Sequence, residues 1–582
     1  MTHFTGTAGD DTITGTTKND VFDMSQGGND TVSGLGGKDV FYFGAAFTAD
    51  DHIDGGTKGN HHHLVQGTVE LNGDYSTGVV FGAQTMVNIA TLRLDGGHSY
   101  NLTINQTTVS STSGFTVDAS TLGAGDSLIF DGSADTSGQL KVVSRAGHVD
   151  LTSAAFFTIF DLGSTLNAGD KITGHSGASQ TEVDLSGDYS AGMVLDANLM
   201  TNVTTIAMSN GTFNFTTADD LVAAGGVFQV FNLGGATVNF NGSAETDGHF
   251  NFESLSGTIT GSAGNDVFFQ NSGTMTSGAG NDQFINCAGT FHLEQSGVVY
   301  AVSTINSSND TFYLGASLTA ADQINAGTGT DTVVLNGDYS GGLVLGSATL
   351  LNIELLQLTA GHSYDIVTND ATVAKKATMT VNGSSLGAGD TLTFDGSSET
   401  NGHFTLVGGA GDDTLKGGQN GNQISGGQGQ DTLTGGSGDD VLTGGGAKDV
   451  LDGGANGNDV FVYNAVSDSS GIHFDTVLGF DVTRDAFDVT RAVTGIDAAI
   501  SAGTLNGGNA GQFNSDLAAA VDAAHLAAGH AVLFTPDSGS LAGDVFLVVD
   551  QNGIAGYQAN QDLVIEISGS ANIASLAVHN FM

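Results

Sequence analysis

Aspartate recurs beside glycine every nine residues in a run that begins at Gly408. The units GGAGDDTLK, GGQNGNQIS, GGQGQDTLT, GGSGDDVLT and GGGAKDVLD follow without a gap, and a sixth, ending in NGNDVFV, comes after one inserted residue. Glycine lets the backbone bend tightly with positive φ, so carboxylates and turn carbonyls can converge. Such hard oxygens suit calcium, which takes about six to eight of them. We therefore expect several Ca2+ ions here, bound through Asp413, Asn422, Asp431, Asp440, Asp449 and Asp459.

The same unit appears in two other parts of the chain. Four copies, GTAGDDTIT, GTTKNDVFD, SQGGNDTVS and GLGGKDVFY, occupy 6–42 with Met24 as the single interruption, and isolated copies lie at 261–269 and 277–285. Weaker echoes surround Asp310 and Asp331. For the isolated copies and the echoes, plain Asp-Gly turn chemistry remains an alternative to metal binding. The motif predicts further metal ligands at Asp11, Asp20, Asp30, Asp39, Asp266 and Asp282.

The consensus GGxGxDxUx, in which U is aliphatic or aromatic, is typical of a calcium-binding parallel β-helix. Each unit ends in a short strand whose U side chain points inward, and two units make one coil. Like positions then recur every eighteen residues, which places Asp413, Asp431 and Asp449 in one column and Asn422, Asp440 and Asp459 in another. Carboxylates stacked about 4.8 Å apart repel one another without a counterion. Calcium between successive coils would remove that repulsion.

Composition excludes several classes of protein. The formal charge is -49, from 62 acidic and 13 basic residues, and only eight of the acids are glutamate. Without a basic stripe, nucleic acid and anionic membrane surfaces are not expected partners. No apolar run is long enough for a transmembrane helix. Cys287 is the single cysteine, so we expect a small buried side chain and no intrachain disulfide.

A longer repeat lies between the two arrays. Its copies begin NGDYSTGVV at Asn72, SGDYSAGMV at Ser186 and NGDYSGGLV at Asn336, and each later reaches a phenylalanine turn. Alternating apolar and polar residues predict short strands separated by Gly, Asn and Asp. A long amphipathic helix is predicted only after residue 510, in SDLAAAVDAAHLAAG. The predicted fold is all-β, a right-handed parallel β-roll and β-helix solenoid with a small, mostly-β C-terminal cap containing one helix.

These patterns divide the chain into six segments. The predicted order is an N-terminal β-roll at 1–43, three solenoid repeat units at 44–160, 161–313 and 314–407, the main β-roll at 408–463 and a C-terminal cap with the export region at 464–582.

The arrays at 6–42 and 408–462 resemble the RTX family, calcium-binding repeat proteins exported by type I secretion. The stretch FVYNAVSDSSGIHFDTVLGFDVTRDAFDV resembles the segment that follows the β-roll in serralysin proteases, and GDVFLVVDQNGIAGYQANQDLVIEISGS resembles their closing strands. The resemblance implies a type I (ABC) exporter as partner, which would explain why MTHFTGTAGDDTITG lacks a cleavable signal. It also implies folding outside the cell, where calcium is abundant.

The sequence does not predict a catalytic site. The zinc motif HExxH does not occur, and a lipase-type nucleophile elbow is not predicted. A polyuronate lyase or epimerase built on a β-helix needs cations against substrate carboxylates, and the long repeats offer only Arg93, Lys141, Arg145, Lys171, Lys375 and Lys376. HHH at 61–63 is interpreted as an exposed loop, with a transition-metal site as the alternative.

The function predicted from the sequence is that of a secreted, calcium-binding β-solenoid structural protein. We expect it at the cell surface or in the extracellular matrix, as an S-layer-like subunit or a filament or adhesin component. Self-association and a surface polysaccharide are the expected partners besides calcium and the exporter. The alternative is a polysaccharide-active β-helix enzyme.

Overall fold

The computed structural model describes residues 1–56, 67–108, 114–136, 138–177, 180–293, 299–302, 309–570 and 572–582, which form two compact units, Met1–Cys287 and Ala288–Met582. The histidine run at 61–63 lies outside the described residues. The all-β parallel solenoid predicted from the sequence is confirmed, while the six segment boundaries remain a prediction. Within the described residues, no helix is both long and apolar enough to span a membrane.

The first unit consists of short strands. Their bounds are β1 Thr2–Thr5, β2 Thr12–Thr14, β3 Asp20–Asp23, β4 Thr31–Ser33, β5 Val40–Gly44, β6 His52–Asp54, β7 Gly67–Leu71, β8 Tyr75–Val80, β9 Met86–Val87, β10 Ile89–Leu94, β11 Tyr100–Thr103, β12 Phe115–Ala119, β13 Ser127–Gly132, β14 Gln139–Ser144, β15 His148–Ser153, β16 Phe157–Gly163, β17 Lys171–Thr173, β18 Gln180–Leu195, β19 Met200–Thr201, β20 Thr205–Thr217, β21 Val227–Asn241, β22 His249–Glu253, β23 Ser256–Thr260, β24 Val267–Phe269, β25 Ser272–Thr276 and β26 Gln283–Ile285.

Successive strands of this unit alternate between walls, and the strands within each wall are parallel. One wall runs β1-β3-β5-β7-β10-β12-β14-β16-β18, and two others run β2-β4-β6-β9 and β8-β11-β13-β15-β17-β19. Side chains at every second position point inward, so like residues stack from coil to coil. Phe22 and Phe41 stack with ring centroids 4.8 Å apart. The apolar core is therefore a continuous column along the coils.

The second unit contains the same kind of coil. Its strands are β27 Ala288–His292, β28 Tyr300–Val302, β29 Thr311–Leu314, β30 Gln323–Asn325, β31 Thr332–Leu335, β32 Tyr339–Val344, β33 Leu350–Leu351, β34 Leu355–Leu358, β35 Tyr364–Val367, β36 Thr378–Asn382, β37 Leu392–Asp395, β38 His403–Val407, β39 Thr414–Lys416, β40 Gln423–Gln428, β41 Thr432–Gly436, β42 Val441–Gly446, β43 Val450–Gly454, β44 Val460–Tyr463, β45 Asp475–Leu478, β46 Ala486–Val489, β47 Gly495–Ile496, β48 His530–Phe534, β49 Phe546–Val549 and β50 Leu563–Ser568.

The main array coils as the eighteen-residue period predicts. Strands β39, β41 and β43 pair in parallel and align Leu415 with Leu433 and Leu451. Strands β40, β42 and β44 form the opposite wall and align Ile424, Leu442 and Phe461. All six side chains are buried. Two nine-residue units therefore make one coil, and each unit contributes one core side chain.

A buried tyrosine fixes the same turn in each copy of the long repeat. The hydroxyl of Tyr339 donates to the Gly315 carbonyl at 2.6 Å and accepts the Leu318 N–H at 3.0 Å. Tyr75 and Tyr189 make the equivalent pair of bonds. The DYS motif of the sequence thus supplies a side chain that closes the preceding turn through two hydrogen bonds.

The C-terminal cap is partly antiparallel. Strand β49 pairs antiparallel with β48 and β50, and β50 joins the solenoid wall beside β45 in parallel. Three short 3-10 turns, Val466–Asp468, Ile573–Ser575 and Val578–Asn580, also occur. One α-helix, α1 (Ala510–Ala520), is present among the described residues and buries Phe513 and Leu517.

The predicted helix bounds are wrong at both ends. The helix begins five residues before Ser515, because the Asn509 side chain accepts the Gln512 N–H and caps it. It ends at Ala520, and the second half of SDLAAAVDAAHLAAG is not helical. There the carboxylate of Asp522 accepts the Ala524 N–H and stabilises a turn instead.

Candidate metal centre

The aspartates of the main array form two hydrogen-bonded ladders. In one, Oδ1 of Asp431 accepts the Asp413 N–H and Oδ1 of Asp449 accepts the Asp431 N–H, both at 2.8 Å. In the other, Asp440 accepts the N–H of Asn422 at 2.6 Å, and Asp459 accepts that of Asp440 at 3.0 Å. The structure therefore brings together the two columns predicted from the sequence, with all six residues buried.

The first glycine of each unit provides the space for the carboxylate. A β-carbon added at Gly426 would lie 2.1 Å from Oδ2 of Asp431, and one at Gly444 would lie 2.3 Å from Oδ2 of Asp449. Another side chain in this position would displace the aspartate five residues later. Ala447 departs from the glycine consensus and has φ of 88°, a strained conformation for a residue with a β-carbon. The consensus thus records steric requirements of the coil as well as ligand chemistry.

The second carboxylate oxygen is unsatisfied in the middle of the array. Oδ2 of Asp431, Asp440 and Asp449 is buried and has no hydrogen-bond partner. A buried anion with an unpaired oxygen is costly unless a cation or a proton neutralises it. The turn carbonyls beside these carboxylates are the remaining oxygens that a hard cation requires. These residues consequently fit calcium, with the carboxylates as the charged part of a mostly backbone ligand set.

Burial changes the acidity of the same carboxyls. Burial, together with the negative charge of the next aspartate in each column, raises the pKa of Asp431 and of Asp440 to about 7. Burial also raises the pKa of Asp449 and Asp459 to about 6. Without a counterion, folding therefore favours the protonated form of these side chains. Protons and metal ions therefore compete for the middle of the columns near neutral pH.

Both columns extend past the last recognisable unit. Oδ1 of Asp475 accepts the Asp449 N–H at 2.9 Å, and Oδ1 of Asp485 accepts the Asp459 N–H at 3.1 Å. Oδ2 of Asp475 is buried without a partner, and burial raises its pKa to about 9. Sequence reasoning missed both residues. The signal that could have found them is the Asp-x-U spacing, because Val477 and Phe487 are the buried positions two residues on.

The N-terminal array has the same ladder of hydrogen bonds through Oδ1, but the hydrogen bonds to Oδ2 differ from one aspartate to the next. Oδ1 of Asp30 accepts the Asp11 N–H at 2.9 Å, and Oδ1 of Asp39 accepts the Asp20 N–H at 2.8 Å. Oδ2 is buried and without a partner in Asp30 and Asp39. In Asp11 and Asp20 it accepts the backbone N–H and the hydroxyl of a threonine at the second position of the unit, Thr7 or Thr16.

The isolated units are satisfied in a similar way. Ser262 donates its N–H to Oδ2 of Asp266 at 2.6 Å, and its hydroxyl is 3.0 Å from Oδ1. Asp282 accepts the Asp266 N–H at 2.9 Å and so continues the ladder. Among the weaker echoes, Asp331 accepts the Asp310 N–H at 2.7 Å and has a buried Oδ2 without a partner. Carboxylates are thus satisfied within their own unit by a hydroxyl together with a backbone N–H at Thr7, Thr16 and Ser262, and by a backbone N–H alone at Gly409, which donates to Oδ2 of Asp413 at 2.7 Å.

No group of three or more His, Cys, Asp or Glu side chains suited to a metal occurs in the part of the chain that the structure describes. This follows from the architecture, since each coil adds only one carboxylate to each column. A cation between two coils would take most of its ligands from turn carbonyls, as calcium commonly does. The ladders accordingly offer spaced carboxylates along an axis and no compact side-chain cluster.

Three of the six cations named for the long repeats form ion pairs. Arg93 lies 3.1 Å from Glu70, and Arg145 and Lys141 lie 2.9 and 3.6 Å from Asp161. One serine, Ser385, does fit the G-x-S-x-G spacing, in GSSLG at 383–387. Its hydroxyl donates to the Leu358 carbonyl at 2.8 Å, as Thr121 does to Leu94 in the first copy. The serine therefore lies in a turn of the solenoid, where its hydroxyl donates to a backbone carbonyl.

Two regions of the chain match known families. Residues 5–23 and 25–46 match the family described as RTX calcium-binding nonapeptide repeat (4 copies), and residues 369–575 match Peptidase M10 serralysin C terminal. No curated protein matches the chain. The C-terminal match covers the main array, the extended columns and most of the cap. Neither matched region is a catalytic domain.

Proposed function

The chain is an RTX protein with a serralysin-like C-terminal domain, and we propose that it has a structural role at the cell surface or in the extracellular matrix. The chain binds multiple calcium ions and is a type I secreted, extracellular protein. The proposal adds that calcium drives its folding outside the cell and that the folded solenoid is an S-layer-like subunit or a filament or adhesin component.

The observation that carries the proposal is the extent of the coils. Within the described residues, parallel coil strands make up most of each unit, from β1 to β26 in the first and from β27 to β46 in the second. A repeat architecture with stacked cores builds length and surface, and its stability grows with the number of neighbouring coils. A structural protein needs those properties.

The proposed metal ligands are the aspartates predicted from the sequence, together with Asp475 and Asp485, whereas Asn422, also predicted as a ligand, carries no charge for a cation to neutralise. The unsatisfied Oδ2 atoms of the middle members support this assignment, because a bound cation would neutralise exactly these buried charges. At low calcium the columns carry uncompensated charge and favour the unfolded chain. At high calcium each site adds about 2.7 kcal/mol when the ion is a hundredfold above its Kd. Folding would then follow export.

Self-association is supported by an apolar side chain exposed at the same place in each long repeat. Val80, Val194 and Val344 follow the DYS turns and are 67%, 55% and 60% exposed. All three copies of the long repeat therefore have an exposed valine at the same position. Contacts between copies of the chain would bury these valines, and a calcium-bridged lattice or filament would present them repeatedly.

Electron microscopy of the purified chain tests the structural role. We expect calcium-dependent sheets or filaments that disperse in chelator, and fewer of them when Val80, Val194 and Val344 are changed to Ser. A matched variant changes the outward-facing, already polar Thr103, Thr152 and Thr173 to Ser. A chain that stays monomeric at millimolar calcium, by light scattering, would contradict the proposal.

A polysaccharide-active enzyme is the second candidate, and one observation favours it. Asp184 faces outward beside Asp161 on the neighbouring strand, and burial together with a hydrogen bond to Glu182 raises its pKa to about 7. A carboxyl that titrates near neutrality suits acid–base chemistry. However, Lys141 and Arg145, which would neutralise a uronate, are paired with Asp161. Release of unsaturated uronates from alginate or pectin, lost in Asp184→Asn, would establish this activity.

A further inference from the structure

Asn422 stands where the other units of the main array carry aspartate, and its amide is held from two sides. On one side Oδ1 accepts the N–H of Phe404 at 3.0 Å and that of Gly418 at 3.4 Å. This is the ladder position that Oδ1 occupies in the aspartates. On the other side Nδ2 lies where Asp431 and Asp440 have an unsatisfied Oδ2.

The amide nitrogen is surrounded by oxygen atoms from two successive coils. It donates towards the carbonyls of Gly418 and Asn420 in its own turn, the former at 3.3 Å. From the next coil, the Gly435 carbonyl lies at 3.2 Å and Oδ1 of Asp440 at 2.9 Å. An NH2 group has only two hydrogens, so four acceptors exceed what it can satisfy. Three carbonyls and a carboxylate around one point are the surroundings of a hard cation.

The orientation of the amide follows from its neighbours. Exchanging its oxygen and nitrogen would point an acceptor at four acceptors and the NH2 group at two N–H donors. Only the observed orientation places donors opposite acceptors on both sides. Asn422 is also buried, so water does not compete for these contacts.

We propose that the Asn422 amide takes the place of the metal ion between Asn422 and Asp440, so that this gap closes without calcium. The inference rests on the proposed ligand assignment, because it distinguishes one gap from its neighbours in the same array. The neighbouring gaps, between Asp413 and Asp431 and between Asp431 and Asp449, bind calcium. One internally closed gap gives the array a contact between coils that forms before any ion binds.

Crystals of the full-length wild-type chain soaked with Tb3+, a hard cation that replaces calcium, test this directly. We expect anomalous peaks in the gaps from Asp413 to Asp431 and from Asp431 to Asp449, and none between Asn422 and Asp440. A peak in the Asn422 gap would overturn the inference alone. An array without any peak would overturn the ligand assignment and the inference together.

Asn422→Asp provides the complementary experiment. The change removes the two amide hydrogens and replaces the amide nitrogen with a carboxylate oxygen. Five oxygens, two of them from carboxylates, then face one another across the gap, and a cation is needed to neutralise them. We expect native mass spectrometry at saturating calcium to count one more bound ion than in the wild type. Gln430→Glu is the matched control, since it makes the same amide-to-acid change at an exposed position of the array. An unchanged ion count in Asn422→Asp, or the same gain in the control, would refute the proposal.

Discussion

Removing two neighbouring carboxylates from one column should change how strongly stability depends on calcium. Asp413, Asp431, Asp449 and Asp475 are joined by three successive hydrogen-bonded links. Every link includes Asp431 or Asp449, so Asp431→Ala with Asp449→Ala disrupts all three gaps. Each bound ion adds about 1.4 kcal/mol to the free energy of unfolding per tenfold rise in calcium above its Kd. With three gaps lost, the free energy of unfolding of the double variant should rise by about 4 kcal/mol less per tenfold increase in calcium than that of the wild type.

A second effect of the same substitutions does not depend on calcium. The variant leaves the N–H groups of Asp413 and Asp431 without their acceptors, at about 1–3 kcal/mol each. The loss of these hydrogen bonds lowers the free energy of unfolding by the same amount at every calcium concentration. The loss of bound ions instead lowers the slope of that free energy against the logarithm of the calcium concentration. Chemical unfolding followed by circular dichroism at stepped calcium concentrations separates the two. The calcium midpoint of folding should also rise.

The control removes two charges from the same turns. Asp412 and Asp439 each immediately precede a column residue but are exposed, so Asp412→Ala with Asp439→Ala should retain the wild-type slope. If the Asp431 and Asp449 variant also retains it, the column does not bind the ions and the ligand assignment fails.

Other predictions follow from the same geometry. Burial raises the pKa of Asp431 to about 7 and of Asp475 to about 9, from an ordinary 3.8. The folded chelated chain thus binds more protons than the unfolded chain across that range, and its urea midpoint should be higher at pH 5 than at pH 8; a higher midpoint at pH 8 would contradict this. With calcium the order should reverse, because protons displace the ion. Gly426→Ala should lower the melting temperature through its clash with Asp431, unlike Gly389→Ala, which faces open space. Tyr339→Phe should cost about 1–3 kcal/mol in urea unfolding, since it removes both turn hydrogen bonds; an unchanged midpoint would show that they contribute nothing.

The columns were predictable because one period controls both the core and the ligands. A nine-residue unit with one inward side chain leaves little choice of register, and Leu415, Leu433 and Leu451 align accordingly. The long repeats were predictable as strands for the same reason, since alternation matches the strand period.

The rest depended on features that the period does not contain. The spacing within the columns changes from 18 or 19 residues to 26 at Asp475 and Asp485, where the glycine motif stops and a 3-10 turn at Val466–Asp468 is inserted. Which carboxylates accept hydrogen bonds within their own unit depends on local donors, a hydroxyl at Thr7 and Ser262 and a backbone N–H at Gly409, and these contacts can be recognised only once the turn geometry is known. The bounds of α1 were decided by its cap at Asn509 and not by its apolar spacing.

Because the two ladders end at Asp475 and Asp485, these residues determine where the array can be truncated for transfer to another protein. Truncation after Tyr463, where the glycine motif stops, would remove the acceptors of the Asp449 and Asp459 N–H groups. It would also expose the unpaired strand edges of the last coil. A graft that extends to Val489 would keep those acceptors, because β45 and β46 pair with the last coil on both walls, but it would expose the edge of β45 that pairs with β50.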